Sequence, residues 1–206
     1  MNAKDIRIVF MGTPEFAVPS LKALVEGGYN VVGVVTMPDK PAGRGMRLQE
    51  SDVKRAAKEL GISTILQPEK LRDEEFLEAL QALQSDLGIV IAFRMLPEAV
   101  WAMPRFGTFN LHASLLPEYR GAAPINWAII NGDKESGNTT FLLNHEIDKG
   151  AIIGQQRTPI GDEECVGELY DRLMVMGAEL VVESVASSSA STSVSPKYES
   201  ANAFGT

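Results

Sequence analysis

Residues 6–16 read Ile-Arg-Ile-Val-Phe-Met-Gly-Thr-Pro-Glu-Phe, and this stretch decides the fold class. Residues 6–11 are apolar almost throughout, as in a parallel strand covered on both faces rather than a half-exposed one. Thr13 as a cap, Pro14 in the first helical position and Glu15 at the positive end of the dipole then start a helix. Phe16, Leu21, Leu24 and Val25 give that helix an apolar face, and Gly27 with Gly28 can end it in the left-handed conformation. A buried strand running into a helix is the opening of a βαβ unit.

The same pattern repeats outward from there. Residues 31–36 form a second buried strand, Ser51 starts a helix to Leu60, and residues 64–66 form a short strand. Residues 73–84 are an amphipathic helix with Phe76, Leu77, Leu80 and Leu83 on one side, and residues 87–93 (LGIVIAF) are the next buried strand. This order predicts an α/β fold with a Rossmann-like, mostly parallel sheet, helices on both faces and right-handed crossovers. Further along, residues 107–112, 139–143 and 152–157 read as strands, and residues 123–130 and 166–185 as helices. Residues 37–49 (MPDKPAGRGMRLQ) carry two prolines and two glycines without periodicity and read as an unusually long loop. The serine-rich composition of residues 187–206 predicts a linker or disordered tail, which leaves residues 1–186 as one folded domain.

Composition narrows the class of function. The 206 residues, 45% hydrophobic and 22% charged, suffice for one sizeable core. With 19 Lys+Arg against 27 Asp+Glu the formal charge is -8, which argues against general nucleic-acid coating or anionic-membrane binding. The distribution is uneven: residues 1–60 hold 9 basic and 7 acidic side chains. The excess sits in residues 37–58, where Lys40, Arg44, Arg47, Lys54, Arg55 and Lys58 outnumber Asp39, Glu50 and Asp52. No apolar run reaches membrane-spanning length and the N-terminus lacks the features of a signal peptide, so a cytoplasmic, soluble monomer is expected. The single cysteine, Cys165, lies among Asp162, Glu163, Glu164 and Glu168; those neighbours disfavour the thiolate and predict a buried, small apolar group. With only two histidines, His112 and His145, no metal site is expected.

Motifs exclude the commonest uses of such a sheet. After the first strand stands Gly12-Thr-Pro-Glu rather than G-x-G-x-x-G, and Walker and G-x-S-x-G motifs are absent. Chemistry concentrates instead in residues 109–124 (FNLHASLLPEYRGAAP). Asn110 and His112 are two apart on a strand and share a face at its C-terminal end, where open α/β sheets keep their sites. An amide beside an imidazole supplies a donor for a developing oxyanion and a group that moves protons near neutral pH. Asp148, in a turn that ends at Gly150, is a carboxylate that could orient His112.

The run Asn110-x-His112-x-Ser114-Leu-Leu-Pro117, then Arg120-Gly-Ala-Ala-Pro124, then Asp148-x-Gly150 resembles the folate-dependent formyltransferase family. So do residues 9–16 (VFMGTPEF), residues 38–45 (PDKPAGRG) and Gly132-Asp-x-Glu-x-Gly137, all in register over about residues 5–185. The resemblance implies the formyltransferase fold and transfer of a formyl group from 10-formyltetrahydrofolate, without a metal, to the α-amino group of methionine on initiator tRNA. It implies catalytic roles for three residues: Asn110 hydrogen-bonds the oxygen of a tetrahedral intermediate, His112 stabilises that charge and moves protons, and Asp148 favours the charged imidazole and relays protons through water. It assigns Ser114, Leu115, Leu116 and Pro117, with the backbone after the strand of residues 87–93, to the folate. Lys40, Arg44 and Arg47, in the basic loop, it assigns to the tRNA acceptor arm.

The sequence departs from the family pattern at Arg94, where a glycine-containing tyrosine segment is usual, at Lys149 in place of a commoner threonine, and at Glu118, often basic. The family's basic, tRNA-binding C-terminal β-barrel domain is not expected within these residues. Other readings are a relative acting on glycinamide ribonucleotide or an amino sugar, a folate- or tRNA-binding fragment with little catalysis, and a nucleotide-binding Rossmann module. Arg44→Ala is expected to raise the KM for tRNA several-fold and leave folate binding unchanged, which steady-state kinetics with each substrate varied in turn will check.

Overall fold

The computed structural model describes residues 2–42 and 47–190. Strand β1 (Ile8–Gly12) is buried along its whole length and pairs in parallel with β2 (Val31–Val35) on one side. On its other side it pairs, also in parallel, with Leu87–Ile91. A 3-10 turn (Glu15–Ala17) and helix α1 (Val18–Glu26) connect β1 to β2. Pro14 therefore stands at the cap of the 3-10 turn, not in the first turn of the α-helix; Pro19 occupies that position. Gly28, at φ 76°, supplies the left-handed residue that ends α1.

Residues 37–49 are not simply a loop. Strands β3 (Lys40–Ala42) and β4 (Arg47–Gln49) pair antiparallel outside the main sheet, Lys40 opposite Gln49. Three-residue strands carrying a proline and charged side chains show no alternation, so nothing local announces the pairing. Helix α2 (Asp52–Glu59) follows, its first turn capped by Ser51 Oγ, which accepts the Lys54 N–H at 3.0 Å. Then come β5 (Ile65–Leu66), α3 (Glu74–Ala82), β6 (Leu87–Ile91), a short α4 (Glu98–Trp101) not evident from periodicity, and β7 (Thr108–His112). Helix α5 (Pro124–Ile130), strands β8 (Glu135–Leu142) and β9 (Ile152–Pro159) and helix α6 (Val166–Ala190) complete the chain. Both late strands are longer than the apolar pattern suggests. Helix α6 continues past residue 186, so the serine-rich segment begins as helix; residues 191–206 lie outside the described residues.

The seven-stranded sheet runs β5-β2-β1-β6-β7-β8-β9, parallel through β7 and antiparallel thereafter. Helices cover both faces. On β1, Ile8 and Phe10 join α1, α2, α5 and α6 in one apolar cluster, whereas Val9 and Met11 join Phe76 and Leu80 of α3 and Val100 of α4 in the other. This two-sided burial is why β1 and β6 lack polar alternation. Chain order reverses direction between β1 and β6, so the loops that leave their carboxyl ends diverge and open a crevice there.

Cys165 is exposed, contrary to expectation. It sits just ahead of α6, where its backbone N–H donates to the Glu168 carboxylate at 2.9 Å and its side chain faces solvent. Among the described residues no helix is long and apolar enough to cross a membrane, and no three His, Cys, Asp or Glu side chains gather where a metal could bind.

Phe109 is fully buried on β7 immediately before Asn110. Phe109→Ala is expected to cost about 3–5 kcal/mol, read as a lower urea midpoint at unchanged slope.

Candidate active site

The crevice is a cleft of about 940 Å³ at the carboxyl edge of β1, β6 and β7. Its walls come from four connections: Pro14 and Phe16 after β1, residues 92–98 after β6, Asn110 to Ala113 at the end of β7, and residues 143–148 after β8. Asn110, His112 and Asp148 all line it. The strand period does what the spacing implies: Asn110 and His112 point the same way from β7, with the fully buried Leu111 side turned into the core. Strand β8, antiparallel to β7, ends opposite Phe109 near the amino end of β7, and the loop that follows folds back so that residues 143–148, Asp148 among them, line the cleft.

His112 is almost buried, and its Nε2 lies 2.8 Å from the Tyr119 carbonyl oxygen. A carbonyl only accepts, so Nε2 carries the proton and donates. The neutral ring then keeps its lone pair on Nδ1, which is left for a molecule entering the cleft. Asp148, at φ 51°, is held twice by the same turn: the Gly121 N–H donates to its carboxylate at 2.7 Å, and Arg120 Nε donates to its backbone carbonyl at 2.9 Å. The loop that bears Asp148 is further fixed by Gly150, where an added Cβ would drive into the Leu142 carbonyl oxygen. No direct hydrogen bond joins Asp148 to His112; the turn of residues 119–121 lies between them.

Ser114, Leu115, Leu116 and Pro117 do not line this cleft. The buried Ser114 hydroxyl donates to the Glu118 carbonyl, Thr139 Oγ1 donates to the Ser114 carbonyl at 2.7 Å, and the Leu116 N–H donates to Thr139 Oγ1 at 3.1 Å. That segment braces β7 against β8 beneath the turn. The backbone after β6, also expected at the folate, does line the cleft through Ala92, Phe93, Met95, Leu96 and Pro97. Arg94 secures that segment by donating to the Pro68 and Glu69 carbonyls. His145 also lines the cleft, edge-on to Trp101 at 5.3 Å.

The basic stretch divides in two. Lys54 donates to Asp39 at 2.5 Å and approaches Glu50 at 3.4 Å, Arg55 pairs with Asp52, and Lys58 pairs with Glu50. The Lys54 ammonium, with help from the Gln67 amide, holds the Asp39 carboxyl below its usual range. Each acid of residues 37–58, Asp39, Glu50 and Asp52, is thereby paired with a cation of α2. Lys40 is exposed on β3; Arg44 and the side chain of Arg47 lie outside the described residues.

Residues 6–185 match the family model described as formyl transferase. The chain is 67% identical over 186 residues to the methionyl-tRNA formyltransferase of Parabacteroides distasonis, covering 90% of this chain and 57% of that protein. It is 64% identical over 185 residues to the methionyl-tRNA formyltransferase of Bacteroides thetaiotaomicron, with the same coverage of 90% and 57%. The chain thus spans a little over half the length of the curated relatives it matches. Among solved structures, glycinamide ribonucleotide transformylase 1 from Symbiobacterium toebii superposes with a TM-score of 0.73 at 21% identity, covering 88% of this chain and 86% of that one.

Gly150→Ala is expected to destabilise the chain by about 1–3 kcal/mol, the ordinary cost of overpacking. Chemical denaturation measures it, and Gly161→Ala, where the backbone is not left-handed and an added Cβ would make only ordinary contact with Glu164 at 3.6 Å, serves as a control for the loss of a glycine alone.

Proposed function

The chain belongs to the formyl transferase family, and from that premise we propose that it transfers the formyl group of 10-formyltetrahydrofolate to the α-amino group of methionine carried on initiator tRNA. The observation that carries this reading is the meeting of Asn110, His112 and Asp148 in one cleft at the carboxyl edge of the sheet. The donor chemistry suits an acyl transfer: one amide donor, one imidazole and one carboxylate around a space bounded by apolar walls. Phe93, Leu96, Trp101 and Leu143 offer faces for a flat, fused ring, and the cleft volume is ample for it. Bound formylfolate supplies the formyl carbon as an acyl group on nitrogen.

Each residue has a task under this reading. The Asn110 side-chain amide donates to the formyl oxygen as the attacking amine adds and negative charge develops there. His112, its Nε2–H committed to Tyr119, acts through Nδ1: protonated, it donates to that oxygen; neutral, it takes a proton from the attacking nitrogen. Asp148, held across the turn from His112, passes the proton on through water. The proton lost by the amine ends on the folate nitrogen as its bond to the formyl carbon breaks.

The identity of the acceptor rests on two supports. Relatives at 64–67% identity carry the methionyl-tRNA name, and the basic excess of residues 37–58, with Lys40 exposed on β3, suits a phosphate backbone. This reading brings with it a role in translation initiation in the cytoplasm, a monomer, and a catalytic unit that runs through α6.

Incubating the chain with 10-formyltetrahydrofolate and Met-tRNA, glycinamide ribonucleotide or an amino sugar, and following formyl transfer, tests it. Transfer to Met-tRNA alone is expected, and Asn110→Ala or His112→Ala should each lower kcat by about 10²–10³-fold with folding intact by circular dichroism. Transfer to another acceptor reassigns the substrate, and folate binding without transfer marks a binding form.

A further inference from the structure

One turn touches both proton-handling groups of the cleft, and it is anchored from outside the cleft as well. The Tyr119 carbonyl takes the His112 Nε2–H, while Arg120 and Gly121 take the Asp148 carbonyl and carboxylate. Tyr119 at φ 52°, Gly121 at φ 88° and Ala123 at φ 55° all sit in the left-handed region. For Tyr119 and Ala123 that conformation costs of the order of 1–2 kcal/mol each, so an outside contact must maintain it. Tyr119 makes that contact away from the cleft. Its hydroxyl donates to Asp133 Oδ2 at 2.5 Å and accepts from Asn131 Nδ2 at 2.9 Å, both in the connection after α5. Its ring also packs against the main core.

We propose that Tyr119, anchored through its hydroxyl to Asp133 and Asn131, is a positioning residue that fixes the His112 tautomer and the placement of Asp148. The chain of contact is short. The phenol is tied at its far end, so the Tyr119 backbone cannot relax from its left-handed setting, and its carbonyl stays aimed at Nε2. The two residues that follow then hold Asp148 from the opposite side. With the anchor cut, the turn regains a choice of backbone conformations, and His112 can place its proton on either nitrogen. Nδ1 is then the donor in part of the population even in the neutral ring, which removes the lone pair that proton transfer needs.

This inference deepens the proposed function and rests on that reading for its kinetic arm, but its spectroscopic arm does not. The chain has only two histidines, so long-range ¹H–¹⁵N spectra of the imidazoles contain two patterns, and His145→Gln assigns them. The wild-type chain is expected to show His112 as the Nε2–H tautomer above its titration. Tyr119→Phe keeps the ring and should give averaged nitrogen shifts for His112, with kcat down about 10–10²-fold, the KM for folate within about twofold and a displaced acid limb in the kcat–pH profile. Asp133→Asn keeps an oxygen that accepts the phenol proton and should restore the wild-type spectrum and most of the rate, whereas Asp133→Ala should behave as Tyr119→Phe. An unchanged His112 spectrum in Tyr119→Phe overturns the proposal, even if the melting temperature falls. Averaged shifts in a chain that transfers no formyl group would uphold the positioning role and overturn the function instead.

Discussion

The parallel pairing of β1 with β6, register Ile8 to Leu87 through Gly12 to Ile91, is the constraint on which the molecule turns. Up to β5 the chain adds strands on one side of β1; it must then cross back to its other side. That reversal sends the connection after β1 and the connection after β6 away from each other, and the gap between them becomes the cleft. Helices on both faces make the arrangement compulsory, since an all-apolar strand such as β1 is stable only when neither face meets water. Everything the cleft needs is then brought to its rim by strands that pair outward from β6: β7 delivers Asn110 and His112, and β8, reversed, delivers the loop with Asp148.

Legibility followed the range over which each feature is determined. Strands β1, β2, β6 and helices α1, α2, α3 were readable because apolar periodicity, caps and glycines act within one or two turns, and the Ser51 cap appears where its sequence places it. Asn110 and His112 were readable as a pair because strand period alone aligns them. The hairpin of β3 and β4 was not, as its strands are short and one carries a proline. Cys165 was misjudged because its neighbours in sequence said nothing of its place at the head of a helix, where capping turns the side chain outward. Of the two segments the resemblance assigns to the folate, the one after β6 lines the cleft, whereas Ser114 to Pro117 brace β7 against β8 through hydrogen bonds that no local pattern shows. The joint holding of His112 and Asp148 by one turn depends on three elements meeting and has no local trace.

Charge shows the same division between local and assembled information. Summed over the chain it is acidic, and summed over residues 37–58 it is basic, yet neither total says which cations are available. Lys54, Arg55 and Lys58 are consumed in holding α2 to the base of the hairpin, where the Asp39 carboxylate ties the two together with Gln67. Exposed ion pairs of this kind contribute little stability, about 0–1 kcal/mol each. Their effect is geometric: they settle which cations of the basic segment are structural.

Helix α6 reaches back across the molecule to pack on α1, β8, β9 and the first turn of the chain. Leu173, Leu180, Val181 and Val185 close the same apolar cluster that Ile8 and Phe10 begin. Strand β1 is thus sealed by a helix that begins more than a hundred and fifty residues later, and contacts of such sequence separation form slowly. During synthesis the sheet must wait, partly uncovered, for more than a hundred and fifty residues to follow β1. In that interval the half-built domain exposes apolar surface, and the cleft cannot take its final shape before α6 has arrived.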